Sequence, residues 1–273
     1  MAEITASAAG TDTGHIGVST LVVGGYLGTG KSRLVERLTG TGAADPAAPF
    51  DDHMSGFVGG TDVSVIEASP FRDPRLAADA AGRRIAVAID AVNIAALIKD
   101  ADVSELIIAQ LRASDVVVLT CSDVADPAPA ITALQGITDA PIVDAQETSD
   151  LAAMLLGVPA RQESPAPPMD WTGKMAVWTY AGPAVLGDGA MGAFLKSRPD
   201  GAYRIRGHVR LPGGGGIVDV FGRARRTVKA DPPEETRLIA AGPVGRFSVR
   251  AMDLAFAEAV TMSTYDRGLI ACR

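Results

Sequence analysis

Residues 25–32 read Gly-Tyr-Leu-Gly-Thr-Gly-Lys-Ser, the G-x-x-x-x-G-K-[ST] spacing of a phosphate-binding loop, placed after the apolar run Leu21, Val22, Val23 and before a helical pattern. In such a loop the glycines let successive backbone N–H groups turn inward around a polyphosphate. Gly25, Gly28, Thr29 and Gly30 form the cradle here, and Arg33 follows it in the first helical turn. Lys31 is placed to reach the β and γ phosphates, and the Ser32 hydroxyl to ligate Mg²⁺. The helix starting there adds the positive end of its dipole to the anion site. The dinucleotide fingerprint G-x-G-x-x-G does not fit, because the glycines run in the order Gly25, Gly28, Gly30.

The rest of the composition limits the setting of that loop. A chain of 273 residues, 47% hydrophobic, is long enough for two domains with cores of their own. A net charge of −7 argues against nucleic acid and against an anionic membrane surface as partners. Cys121 and Cys272 are the only cysteines, so there is no disulfide framework and no CxxC or Cys/His zinc cluster, which predicts a reducing cytoplasm. The stretch through Ser19 lacks the basic and apolar regions of a signal peptide and reads as a frayed tail, and no later run reaches membrane-spanning length.

From residue 20 to 156, short β-branched strands (Leu21 to Val23, Val63 to Ile66, Ile85 to Ile89, Val116 to Leu119, Ile142 to Val143) alternate with helical patterns. Near-continuous apolar strands of this kind predict an α/β fold: a mostly parallel sheet with helices on both faces. Val103, Leu106, Ile107 and Leu111 recur at helical spacing and predict a crossover helix. Residues 157–174 are proline-rich and read as a linker between a nucleotide-binding domain (20–156, after a tail over 1–19) and a smaller α+β domain (175–265). In that second part Met175 to Tyr180, Ala202 to Leu211, Ile217 to Phe221 and Arg237 to Ala241 read as strands, and Ala190 to Lys196 and Arg250 to Val260 as helices. Gly213 to Gly216 reads as a hairpin loop.

Several segments, in order, resemble the CobW-type family of P-loop GTPases, whose members are mostly metal chaperones or metallocentre-assembly factors. Residues 23–32 resemble its V-x-G-F-L-G-x-G-K-T opening, and residues 62–74, with Ile66-Glu67-Ala68-Ser69 leading to Arg72-Asp73-Pro74, its second motif. Ile89-Asp90-Ala91 and Ala113-Ser114-Asp115, with Gln110 between them, are similar to its V-D-A, Q and A-D motifs. Tyr203-Arg-Ile-Arg-Gly207 and Thr236-Arg-Leu238 resemble its C-terminal R-x-K-G and R-L signatures. The resemblance implies GTP or GDP with Mg²⁺ as ligands, a P-loop NTPase fold, Glu67 approaching the Mg²⁺ beside Ser32, and Lys31 and Glu67 as the catalytic pair. It also implies a metalloenzyme client or homo-oligomer formed through the C-terminal domain.

Three departures bear on that implication. The base-reading N-K-x-D stands here as Thr120-Cys121-Ser122-Asp123. Asp123 still offers a carboxylate to guanine N1–H and N2–H₂, whereas replacing the bracing Asn by Thr120 and the ring-covering Lys by Cys121 is expected to weaken affinity by roughly tens of fold. The glycine whose N–H would bond the γ-phosphate is Pro70, which removes a charge-assisted bond of about 1.5 to 3 kcal/mol and predicts similar GTP and GDP states. Between Lys31 and Glu67 there is no cysteine, so the family's C-x-C-C metal sequence is absent.

Other candidates offer less. Asp51, Asp52 and His53 read as an exposed acidic turn rather than a metal site. His15 and His208 have no Ser or Cys partner, and Arg223, Arg225, Arg226 and Lys229 read as a solvated strand face. Two readings stay open: a guanine-nucleotide-binding protein with slow Mg²⁺-dependent GTP hydrolysis that assists metalloenzyme assembly, or a non-catalytic pseudo-GTPase acting as an interaction module.

Overall fold

The computed structural model describes residues 18–42, 45–77, 82–161, 166–221 and 224–271. The expected tail with its His15, and Arg223 of the basic cluster, lie outside them.

Strands β1 (Thr20–Gly24), β2 (His53–Phe57), β3 (Ser64–Glu67), β4 (Arg83–Asp90), β5 (Val116–Thr120) and β6 (Ile142–Asp144) form one sheet in the order β2-β3-β1-β4-β5-β6. All neighbours pair in parallel except β2, which runs antiparallel to β3 with a bulge between Met54 and Gly56. Strand pleating sends alternate residues to opposite faces. Val22, Ile85, Val87, Ile89, Val117 and Leu119 therefore pack on α3 (Ser104–Ala113) and α4 (Ala128–Gln135). Leu21, Val23, Val65, Ala86, Ala88, Val116 and Val118 pack on α1 (Lys31–Thr39) and α5 (Leu151–Gly157). A one-turn helix, α2 (Ile94–Leu97), follows β4. The fold is the α/β arrangement the strand composition predicts, with helices on both faces. The periodicity misses β2, which lies within a Gly-, Ala- and Pro-rich stretch and is largely exposed, so it carries no apolar pattern.

The second sheet is antiparallel: β7 (Met175–Gly182), β8 (Arg204–Leu211), β9 (Gly214–Phe221), β10 (Ala224–Ala230) and β11 (Thr236–Pro243), in the order β10-β9-β8-β11-β7. Helices α6 (Asp188–Ser197) and α7 (Val249–Ala271) cover one face, where Trp178, Ile205, Val209, Val218, Val220 and Leu238 join Phe194 and Phe256. Gly213 (φ +81°) makes the β8–β9 turn, whereas Gly214, Gly215 and Gly216 belong to β9 and correct the expected four-glycine loop. A Cβ at Gly215 would lie 2.3 Å from the Asp231 carbonyl, so close backbone approach rather than turning explains that glycine.

Within the proline-rich stretch the Arg161 N–H donates to Asp115, the Asp73 N–H to the Met169 carbonyl and the Trp171 N–H to the Phe71 carbonyl. Arg161, Met169 and Trp171 are therefore pinned to the first domain's backbone and side chains. Tyr26, Leu27, Phe71, Trp171, Met175, Phe221 and Ala241 belong to one apolar cluster, so the other face of the second sheet meets the first at the phosphate-binding loop. Among the described residues no helix is long and apolar enough to cross a membrane.

Candidate functional site

Residues 25–30 turn from β1 into α1 through three glycines with positive φ, Gly25 (+132°), Gly28 (+74°) and Gly30 (+82°). Helix α1 begins at Lys31 with no side chain capping its first turn. Its first N–H groups therefore point, without an intrahelical acceptor, into the space the loop encloses, as an anion cradle requires. The Thr29 hydroxyl donates to the Tyr26 carbonyl at 2.9 Å and fixes the loop's inner curve.

Lys31 is buried, and its ammonium donates to the carbonyls of Gly25 at 2.7 Å and Tyr26 at 3.2 Å. Among the described residues no carboxylate lies within ion-pairing distance of it. Burial lowers its pKa from 10.5 to about 8, opposed by Glu67 and reinforced by Arg206 and Arg204. A cation held out of water with only dipoles for partners is poised for an anion.

The Ser32 hydroxyl donates to Glu67 Oε1 at 3.0 Å, so the second residue of α1 meets the carboxylate ending β3. Glu67 is buried, its Oε2 accepts no hydrogen bond from the described residues, and His53 Nε2 lies 3.8 Å from that oxygen. One hydroxyl and one carboxylate with a free lone pair suit Mg²⁺, which keeps waters and phosphate oxygens as its other ligands. No cluster of three or more His, Cys, Asp or Glu side chains able to hold a metal occurs among the described residues. Asp51, Asp52 and His53 do not converge: Asp52 accepts from the Ser69 N–H and pairs with Arg72 at 2.6 Å, while His53 turns to Glu67.

Thr120 ends β5 buried, and its hydroxyl donates to the Thr29 carbonyl at 2.8 Å and, at 3.2 Å, the Ile89 carbonyl. The bracing that an asparagine would give the phosphate loop is thus supplied by a hydroxyl. Replacing Thr120 by valine is expected to destabilise the chain by about 1–3 kcal/mol, because buried carbonyls lose a donor; thermal unfolding of the variant checks this. Cys121 follows in the left-handed region (φ +58°), its thiol pushed up chiefly by burial and then by Asp90, which opposes nucleophilic reactivity. Asp123 is exposed, and neighbouring Cys121 and Val124 line the cavity whereas Asp123 does not. Arg33 is exposed at its rim.

Pro70 is buried in the cavity wall, its carbonyl accepting from Gln110 at 3.2 Å; Gln110 also donates to the Arg72 carbonyl at 2.9 Å. The glutamine is therefore a clamp on the segment after β3.

The cavity, of about 520 Å³, is roofed by the second sheet. Arg204 and Arg206 on β8 and Ile217, Asp219 and Phe221 on β9 alternate inward, with Arg225 and Arg226 of β10 at the mouth. Arg225 and Arg226 are exposed, as expected of a strand face, yet that face borders the site. Arg204 pairs with Asp219 at 2.9 Å. Residues 45–53 strap the cavity's side: Asp45 pairs with His208 and Arg237, and Phe50 packs tilted against Phe71 and lies under the Arg206 guanidinium. Reading the sequence missed this arginine roof, because only strand pairing brings residues 204–226 over residues 25–32; the inward alternation Arg204, Arg206, His208 is the signal that was there.

No family model matches the chain, and no curated protein does. Among solved structures it is similar to a Zn(II)-bound YjiA GTPase from E. coli, with 13% identity and a TM-score of 0.35, covering 89% of this chain and 98% of that one. It is similar also to a Zn(II)-bound triple mutant of YjiA GTPase, with 14% identity and a TM-score of 0.35, covering 89% of this chain and 99% of that one. Likeness at this level assigns no residue a role.

Proposed function

We propose that this chain binds a nucleoside polyphosphate, guanine being the preferred base, with Mg²⁺, and hydrolyses the triphosphate slowly. The observation that carries the reading is the buried Lys31 ammonium, without a carboxylate partner among the described residues, at the mouth of a glycine loop whose helix is uncapped. Ser32 and Glu67 would hold Mg²⁺, which when bound screens charge on the phosphate oxygens. The loop N–H groups, Lys31 and the arginine roof stabilise charge on the transferring group, which in phosphoryl transfer is most of the catalytic requirement. Slow turnover follows from Pro70, which offers no N–H to the γ-phosphate.

Guanine preference rests on Asp123, which must swing from its exposed position to accept the base's N1–H and N2–H₂. A role in assembling a metalloenzyme rests on the sequence resemblance alone, and would act through the nucleotide cycle and a docked client. The division into nucleotide-binding and C-terminal domains at residues 157–174, and a cytoplasmic setting, belong to the same reading.

Calorimetric titration with GTP, GDP and ATP, with and without Mg²⁺, tests it. Micromolar, Mg²⁺-dependent binding that favours guanine is expected. Absence of heat with every nucleotide would sink the proposal and leave the pseudo-GTPase reading, which Pro70 and the exposed Asp123 favour.

A further inference from the structure

The roof over the phosphate loop carries more positive charge than its neighbours neutralise. Arg204 is matched by Asp219 at 2.9 Å. Arg206, two residues on and facing the same cavity, has no carboxylate within ion-pairing distance among the described residues. Its contacts are the Ala48 carbonyl, to which Nη2 donates at 2.9 Å, and the Phe50 ring, 4.8 Å from the guanidinium carbon. Its Nε is buried and has no hydrogen-bond partner among the described residues.

Pro70 lines the same cavity, and at the position that the sequence resemblance assigns to a γ-phosphate donor it offers a ring in place of an N–H. Lys31 and Glu67 line that cavity as well. Burial is the main influence lowering the guanidinium's proton affinity, and Arg204 adds to it. A planar fork with unused donors, partly withdrawn from water and facing a phosphate cradle, is suited to bidentate contact with an anionic oxygen.

We propose that Arg206 is a terminal-phosphate ligand delivered in cis by the second sheet, replacing the donor that Pro70 removes and making the site distinguish triphosphate from diphosphate. This rests on the reading of the loop as a nucleotide site. It adds that the second sheet is part of that site, and that its β8 strand and the strap over residues 45–50 respond to the γ-phosphate through one side chain.

The test is titration of the full chain with GTP and with GDP in the presence of Mg²⁺, for the unsubstituted protein, Arg206→Met and Arg206→Lys. Methionine keeps an apolar stem against Phe50, and thermal unfolding of both variants reports whether the fold survives. GTP affinity is expected to fall about tenfold to a hundredfold in Arg206→Met, with GDP affinity changing less than about twofold and Arg206→Lys lying between. An unchanged ratio of GTP to GDP affinity in both variants would overturn the inference and leave nucleotide binding standing. Failure of the unsubstituted chain to bind either nucleotide would overturn both. Should Arg206→Met not fold, the Arg206→Lys ratio decides, since lysine keeps the charge and loses the fork.

Discussion

Replacing Lys31 by methionine is expected to lower nucleotide affinity by at least about a hundredfold and to make the free chain more stable. The first effect removes the buried cation that contacts the β and γ phosphates in the proposed complex. The second follows from its pKa, lowered from 10.5 to about 8, mainly by burial. A shift of that size means the folded chain carries an unfavourable charge worth about 3 kcal/mol at neutral pH. The Gly25 and Tyr26 carbonyls lose their donor in the variant, at about 1 kcal/mol each, so the net gain is on the order of 1 kcal/mol.

The pH dependence has a definite sign. Below pH about 8 Lys31 is protonated in both folded and unfolded chains and the full penalty stands; between about 8 and 10.5 the unfolded chain holds a proton that the folded one lacks. Stability of the unsubstituted chain, relative to Lys31→Met, therefore rises with pH across that window. Nucleotide affinity moves the other way, falling about tenfold per pH unit above pH 8 as the free site loses its charge. Denaturant unfolding at neutral and at alkaline pH, paired with calorimetry, measures both slopes. A Lys31→Met chain that kept its affinity, or lost stability at every pH, would contradict the assigned role.

The loop and its strand-to-helix setting were legible because their chemistry is local: eight consecutive residues carry the cradle, and the apolar strands repeat in a pattern set by two covered faces. Glu67 was legible as the carboxylate of the second motif, and the Ser32 hydroxyl donates to it at 3.0 Å. Thr120 looked like a lost brace because the sequence shows a change of side chain, not the distance to the Thr29 carbonyl that a hydroxyl can span. The roles of His208, Asp45, Asp52 and Arg206 were not legible, since each depends on contacts between segments far apart in sequence. Strand β2 escaped for a different reason: an edge strand bonded on one side needs no alternating apolar pattern.

The sharpest consequence of those long-range contacts concerns Gly28. Its φ of +74° already disfavours any side chain, and a Cβ there would lie 2.5 Å from the ring of Phe221 at the end of β9. Gly28→Ala is therefore expected to cost about 3 kcal/mol, of which about 1 is backbone strain and the rest displacement of the ring. Phe221→Ala on its own removes a buried aromatic from the cluster that joins the sheets, and is expected to cost about 3 kcal/mol as well. The two should not add. With the ring gone, Gly28→Ala keeps only its strain, so the double variant should be more stable than the sum of the singles by about 2 kcal/mol. Denaturant unfolding of the four proteins gives that coupling directly. A coupling near zero would mean that the β9 strand does not rest on the phosphate loop in solution, and the arginine roof, carried on the same sheet, would lose its place over the site. A coupling of the expected size ties the second sheet to the first turn of the cradle, so that a ligand held by Lys31 and the loop N–H groups is also held against β8 and β9.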